Sequence, residues 1–320
     1  MDDFNFESVG GVAVVCGDGE TLYNFGVMGQ LGIEGPTIAS NAPDLYDVAP
    51  NIQGRWDGKT SICCHDAARK VLGNPLAAQM QPRGTCGGRT GKRAGEHLQT
   101  ILIGAGRQAK FHKVSHAWLY ALARMEYGML GSGDGVPNGS IPAVMAKYGL
   151  LHADESGDTL DYGDGSDDLA AKWGGRNGPP KDMFQLAADN KVDTNIVRVR
   201  SFQELADGYA AGGVGLVSSL RGFTMTRNAK GICGAKGQWA HYMTGSGITV
   251  IDGRAYGVID QSWGENVPNG PKVEDGRWPD YSFAGDRDVI EEDMIKRGAF
   301  HLIFGFSLWD ESKYIDWRDI

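Results

Sequence analysis

The stretch Gln81-Pro82-Arg83-Gly84-Thr85-Cys86-Gly87-Gly88-Arg89 decides how the rest of the chain is read. A thiol attacks a carbonyl carbon as the thiolate, and its pKa falls at a helix N-terminus beside a histidine. Cys86 stands where a helix is expected to begin, because the apolar positions Leu98, Ile101, Leu102 and Ile103 follow at helical spacing before Gly104-Ala105-Gly106. A lone cysteine is ordinarily a small buried hydrophobe. Gly84 before this one and Gly87-Gly88 after it set it apart, since they leave backbone open to an approaching substrate. Gly87, Gly91 and Gly95 lie four apart and share one helix face, so some other element must come close there, the strand-rich half of the chain being one candidate.

Outward from this helix, residues 61–72 read as a short helix closed by Gly73-Asn74-Pro75. Ser115–Met129 places Trp118, Leu119, Leu122 and Met125 on one helical face. The loop Gly131-Ser132-Gly133-Asp134-Gly135 leads to a helix from Ser140 to Gly149 with Pro142 in its first turn. Residues 151–180 are acidic and glycine-rich, with a short helix near 167–173, and read as a solvated surface insertion. A strand at 195–200 is followed by the capping box Ser201-Phe202-Gln203-Glu204 and a helix ending at Gly212-Gly213. The segments 214–220, 240–251, 255–261 and 299–308 read as strands, with one helix at 288–297. Helices first and strands later make an α+β protein with two segregated lobes. The organisation expected is an irregular lead-in at 1–60, a helical lobe at 61–194 and a β lobe at 195–320.

Two distant pieces answer the cysteine. His241 lies in the apolar run Gln238-Trp239-Ala240-His241-Tyr242-Met243, and the strand Tyr256–Asp260 ends in Gln261-Ser262-Trp263-Gly264. A side-chain amide oxygen at Gln261 could accept the imidazole N–H and fix its tautomer, with Trp263 shielding that bond from water. The remaining histidines have no comparable setting.

This order of parts resembles the papain-like cysteine peptidases, and among them the divergent bacterial and phage-encoded members. There a Gln precedes the Cys, the Cys opens the central helix of a helical lobe, and a His-bearing strand and an Asn-Ser-Trp-Gly segment follow in an antiparallel, barrel-like β lobe. The resemblance runs over roughly residues 75–308. It implies Cys86 as nucleophile, His241 as general base and acid, Gln261 as the orienting residue and Gln81 as a donor to the oxyanion, with Gln79 as the alternative because the usual offset falls on Met80. It further implies substrate contacts at Gly133, Asp134, Gly135 and Trp263. The chain departs from the pattern in carrying Gln261 where Asn is usual and Gly87 where a large residue follows the Cys.

Composition limits the partners. A net charge of −9 does not suit phosphate neutralisation, so nucleic acid is not expected. No run of about 18 apolar residues suggests a membrane span, and the N-terminus lacks a basic-then-apolar leader, which points to a cytoplasmic or virion-associated protein. The five cysteines, Cys16, Cys63, Cys64, Cys86 and Cys233, are odd in number and lack framework spacing. Cys63-Cys64-His65 has no second Cys/His pair at ligand spacing, so neither metal nor cofactor is expected. The expected partner is a peptide or protein substrate. A catalytically silent binding or virion protein of the same fold, and a Cys/His cell-wall amidase, are the alternatives.

Overall fold

The computed structural model describes residues 12–15, 21–24, 27–28, 42–153, 164–189, 195–264, 266–273, 276–305, 308 and 311–320. Three short strands come first, β1 (Val12–Val15), β2 (Thr21–Asn24) and β3 (Val27–Met28), then one helical turn, α1 (Leu45–Val48). β4 (Ile62–Cys63) runs directly into α2 (Cys64–Leu72), which stops at Gly73 in the left-handed region with φ 80°.

The helical part continues with α3 (Cys86–Gly104) and α4 (His116–Glu126), whose first turn is capped where the Trp118 N–H donates to the Ser115 hydroxyl at 3.3 Å. Next come β5 (Val136–Pro137), α5 (Ser140–Tyr148), α6 (Asp164–Trp173) and α7 (Met183–Asp189). The glycines of α3 explain how tightly these pack. A Cβ at Gly87 would lie 2.5 Å from Val136, and one at Gly91 would lie 2.7 Å from Leu119 and 2.8 Å from Ile141. The close neighbours are therefore α4, β5 and α5 of the helical region, and not the strand-rich half suggested above.

β6 (Asn195–Arg198) leads through Ser201, whose hydroxyl accepts the Glu204 N–H at 3.1 Å, into α8 (Phe202–Ala210). The Glu204 carboxylate accepts from the N–H groups of Arg200 at 2.6 Å and Tyr46 at 3.0 Å, tying α1 to this helix. The long strands β7 (Val214–Arg227) and β8 (Ile232–Ile251), then β9 (Arg254–Asp260), β10 (Ser282–Gly285) and β11 (Phe300–Phe304), complete the sheet. Between the last two, residues Val289–Ile295 wind as a wider π-helical turn where an ordinary helix was expected.

The sheet runs β1-β2-β8-β7-β11-β6, with β4, β9 and β10 also paired to β8. β8 reaches all of them because it is 20 residues long, meeting β10 at Ile232–Cys233, β2 at Gln238–Ala240 and β4 at Gly247–Ile248, and its pairing with β9 breaks register between Gly245 and Gly247. Gly247 has φ 145°, and a Cβ there would sit 1.9 Å from the Ile62 carbonyl oxygen, so only glycine lets β4 pair at that point. One continuous core joins Leu98 and Ile101 of α3, Trp118 and Leu122 of α4, and Val217, Phe300 and Leu302 of the sheet. A helical region followed by the long strands, around one core, is the α+β architecture expected from the pattern, with β1, β2 and β4 added to the sheet from the N-terminal side. Among the described residues no helix is long and apolar enough to cross a membrane.

Candidate active site

Cys86 is the first residue of α3 and has no exposed surface. The first turn of its helix is held by Asp167 of α6, a buried carboxylate that accepts from Thr85 Oγ1 at 3.0 Å, Arg89 Nη2 at 2.9 Å and His116 Nε2 at 2.9 Å. Burial alone would raise the Asp167 pKa, but His116 and Arg89 hold it below the usual carboxylate range. The acidic stretch was expected to be a solvated surface loop. At Asp167 it is instead a brace for the helix that carries the cysteine, and His116, set aside in the sequence, is part of it. Asp168 does face solvent, pairing with Arg83 at 3.1 Å.

The chain just before Cys86 pairs with the chain just after Gln261. The Gln81 N–H donates to the Ser262 carbonyl at 2.9 Å, the Gly264 N–H donates to the Gln79 carbonyl at 2.7 Å, and Met80 faces Trp263 in an antiparallel bridge. This contact fixes the end of β9 against the approach to α3. It also places Gln79 and Gln81 on one side of the extended chain. Gln81 Nε2 donates to the Arg83 carbonyl at 3.3 Å, and its Oε1 accepts from the Ser262 hydroxyl. The Gln79 amide is buried with no hydrogen-bond partner for either atom among the described residues.

His241 lies within β8, opposite Ser219 of β7, and the next residue, Tyr242, donates its N–H toward Cys86 Sγ at 3.5 Å. The imidazole Nε2 is 2.7 Å from Gln261 Oε1. The longer Gln side chain therefore reaches the ring. An amide oxygen accepts only, so this nitrogen carries the proton and Nδ1 is the basic one. Trp263 stacks on the His241 ring with centroids 5.1 Å apart and planes 16° from parallel, and Trp239 meets Trp263 edge-on at 5.3 Å. With 1% of its surface exposed, Trp263 lies behind the histidine and keeps water from the Nε2 bond.

Burial disfavours the charged form of both the Cys86 thiol and the His241 imidazole. Burial pushes the Cys86 thiol up to about 12, against the lowering effect of the Tyr242 and Gly87 N–H groups. Burial also pulls the His241 imidazole down to about 3, only partly offset by its bond to Gln261.

The glycine loop is built on Arg124, a buried guanidinium that donates to the carbonyls of Gly135 at 2.7 Å, Met129 at 2.8 Å and Ser132 at 2.9 Å. The Gly135 N–H donates to the Tyr120 hydroxyl at 3.1 Å, and that hydroxyl lies 3.4 Å from Asp134 Oδ1. Gly133 has open space where a Cβ would stand. The N-terminal strands meet both sides of this region. β2 pairs in parallel with β8 at Gln238–Ala240, just before His241, and β3 pairs in parallel with β5 at Val136–Pro137, just after the loop.

A second cluster was not anticipated. Asp260 precedes Gln261, and its Oδ2 lies 3.0 Å from His65 Nε2 of α2 and 3.4 Å from His97 Nε2 of α3. Its Oδ1 accepts from the hydroxyls of Ser246 at 2.7 Å and Ser282 at 2.6 Å, and Arg93 stands 3.9 Å away. Two imidazoles and a carboxylate are metal-ligating groups, and their three ligand atoms lie within 4.8 Å of one another. The donor set does not call for a cation: four donors saturate the carboxylate and Arg93 balances its charge. The only sequence signal was an acidic residue adjoining the Gln-Ser-Trp-Gly motif.

No family model matches the chain, and no curated protein matches it. Solved structures do. Xylellain, a cysteine protease from Xylella fastidiosa, is similar at 17% identity with a TM-score of 0.53, over 76% of this chain and 85% of that one. Procathepsin B S9 from Trypanosoma congolense is similar at 10% identity with a TM-score of 0.54, over 82% of each chain. The fold is papain-like, as the order of motifs implied.

Proposed function

We propose that this chain is a cysteine peptidase that hydrolyses peptide bonds through a Cys86 acyl-enzyme. The observation that carries the proposal is the His241–Gln261 bond of 2.7 Å, on a strand whose next N–H meets the Cys86 sulfur at the start of α3. In this reading the Cys86 proton passes to His241 Nδ1 as sulfur attacks the carbonyl carbon. The oxyanion accepts from the Cys86 N–H and from Gln81, whose amide exchanges its bond to Arg83, with Gln79 as the second choice. Collapse breaks the C–N bond, and the imidazolium gives its proton to the leaving amine. Water, deprotonated by His241, then cleaves the thioester and restores the thiol. Gly133, Asp134 and Gly135 form the wall beside which an extended substrate lies.

Complete burial of the thiol and imidazole supports a second reading, a papain fold that binds without turnover. The two readings part on what closes the site. β2 occupies the edge of β8 just before His241, where an extended substrate would add as a strand. In the peptidase reading β2 and the substrate compete for that edge, and substrate gains it when β2 leaves.

A peptidyl epoxide tests both. It is expected to label Cys86 well ahead of Cys63, Cys64 and Cys233, and Tyr23→Pro, which removes a ladder N–H from β2, is expected to speed that labelling. Equal, slow labelling of all cysteines in both proteins, with casein left intact, would rule out the peptidase. Release of muropeptides from peptidoglycan without casein cleavage would assign the same chemistry to a cell-wall amide.

A further inference from the structure

A cavity of about 280 Å³ opens beside this site, lined by Asn138, Ser218, Leu220, Arg221, Asp293 and Arg297. Its position follows from the strand register. Ser218 of β7 lies opposite Tyr242, the residue whose N–H meets Cys86 Sγ. Neighbouring strands lie about 4.8 Å apart, so the cavity wall is one strand from the thiol. Asn138, beside Ser218 in the lining, is fixed to the same tyrosine: the Tyr242 hydroxyl donates to the Pro137 carbonyl at 2.7 Å, and the next residue, Asn138, accepts from the Ser218 hydroxyl.

The charges lining this cavity do not cancel. Arg221 Nε is 3.0 Å from Asp293 Oδ2, and Arg297 Nη2 is 3.5 Å from Asp293 Oδ1. Two guanidiniums thus share one carboxylate, and the side chains of Arg221 and Arg297 are 40% and 69% exposed. The nearby acids are engaged elsewhere: Glu292 pairs with Lys296 at 2.5 Å, and Glu291 with Arg287 at 3.8 Å. A guanidinium offers five donors in a planar fork, and one shared carboxylate leaves donors on both arginines for a second. This surplus of positive charge stands in a chain whose overall charge is −9.

We infer that this cavity selects an acidic side chain, Asp or Glu, within three residues of the bond that Cys86 cleaves. The inference rests on the peptidase reading for the word cleaves, and on the cavity alone for the charge preference. The carboxylate of the substrate would complete a four-group cluster with Arg221, Asp293 and Arg297, while Asn138 and Ser218 supply neutral polar contacts at the wall.

Two measurements made in parallel test it. In the first, cleavage sites in a random decapeptide library are read by mass spectrometry. Asp and Glu are expected to be enriched about fivefold at one position near the cut, the upper end for a partly exposed ion pair. Arg297→Glu, on an exposed side chain, should erase that enrichment, and Asp293→Asn, which removes the competing carboxylate, should raise it. Cuts without acidic enrichment, or enrichment that survives Arg297→Glu, would overturn the inference and leave the peptidase reading standing. In the second, Cys86→Ala is titrated with a fluorescent octapeptide bearing one Glu and with its Gln twin. Tighter binding of the Glu peptide supports the charge preference even where nothing is cut. Equal binding, or none, overturns it. Absence of both cleavage and epoxide labelling alongside Glu-selective binding would overturn only the peptidase reading.

Discussion

Asp260 and Gln261 are consecutive residues at the end of β9, and each accepts hydrogen bonds from histidine, yet they build opposite kinds of site. Gln261 is neutral and takes one N–H, from His241, leaving the second ring nitrogen unprotonated. Asp260 is charged and takes four donors, from His65, His97, Ser246 and Ser282, with Arg93 alongside. Burial works against the Asp260 carboxylate, but His65, His97 and Arg93 hold its pKa well below the usual range. The first arrangement orients a base without fixing its charge. The second uses up every acceptor site of the carboxylate. Extended chain turns successive side chains to opposite sides, so one strand end serves the face of His241 and the face of His65 and His97.

The largest expected effect separates the two faces by reactivity. His241→Ala should slow epoxide labelling of Cys86 by on the order of 10²–10⁴-fold, the ordinary worth of a positioned base. His97→Gln, which keeps a donor toward Asp260, should leave the labelling rate near that of the parent chain. Mass-spectrometric rates for both variants decide it; comparable slowing in the two would mean that both clusters belong to one machine.

The next effect separates them by stability. Asp260→Asn leaves Arg93 buried without its counter-charge, and breaking a buried pair in this way costs roughly 3–5 kcal/mol. Urea unfolding should show that loss, with labelling selectivity retained under native conditions. Acid should act on the same histidines. Burial lowers the His97 pKa to about 3 and that of His65 in the same direction, whereas an unfolded histidine titrates near ~6.5. Between those values the unfolded chain binds protons that the folded chain does not. The stabilisation is thus complete above the unfolded value and is lost as pH falls toward 3, at up to about 1.4 kcal/mol per pH unit for each histidine. His97→Gln should remove one such increment from the slope of unfolding free energy against pH between 6 and 4. An unchanged slope would mean that His97 is protonated in the fold.

Only one of the two faces could be read in the sequence. Cys86 follows a glycine-rich turn and opens a helix, Gln261 ends a strand, and Ser115, Ser201 and Gly73 mark helix ends by local chemistry that does not depend on the fold. His65, His97 and Asp260 carry no local signal: His65 and Asp260 are 195 positions apart, and only the packing of α2 and α3 against β9 brings them together. Asp167 escaped notice for the same reason, since an acidic residue among acidic neighbours reads as solvated until Arg89 and His116 are seen around it. The α3 glycines announced a close approach without naming the partner, because a missing Cβ records that space is needed and not what fills it. The helix α7 went unread because seven residues, under two turns, are too few for a periodic pattern to declare itself.

The smallest effect bears on why Gln261 stands where a shorter amide is usual. Its Oε1 contributes one neutral hydrogen bond to His241, worth about 1 kcal/mol. Gln261→Ala should therefore slow Cys86 labelling by about tenfold or less, far short of His241→Ala. Trp263 would still hold the ring by stacking, so the remaining rate measures how much orientation the indole supplies by itself. Gln261→Asn is the sharper variant. The strand end is fixed by Asp260 on one side and by the Ser262 and Gly264 pairings on the other, so the backbone has little freedom to advance and the shorter amide should fall short of Nε2. Asn is then expected to behave like Ala. A rate equal to that of the parent chain would show instead that the strand end shifts to follow its side chain, and that the anchoring by Asp260 is looser than its four hydrogen bonds imply.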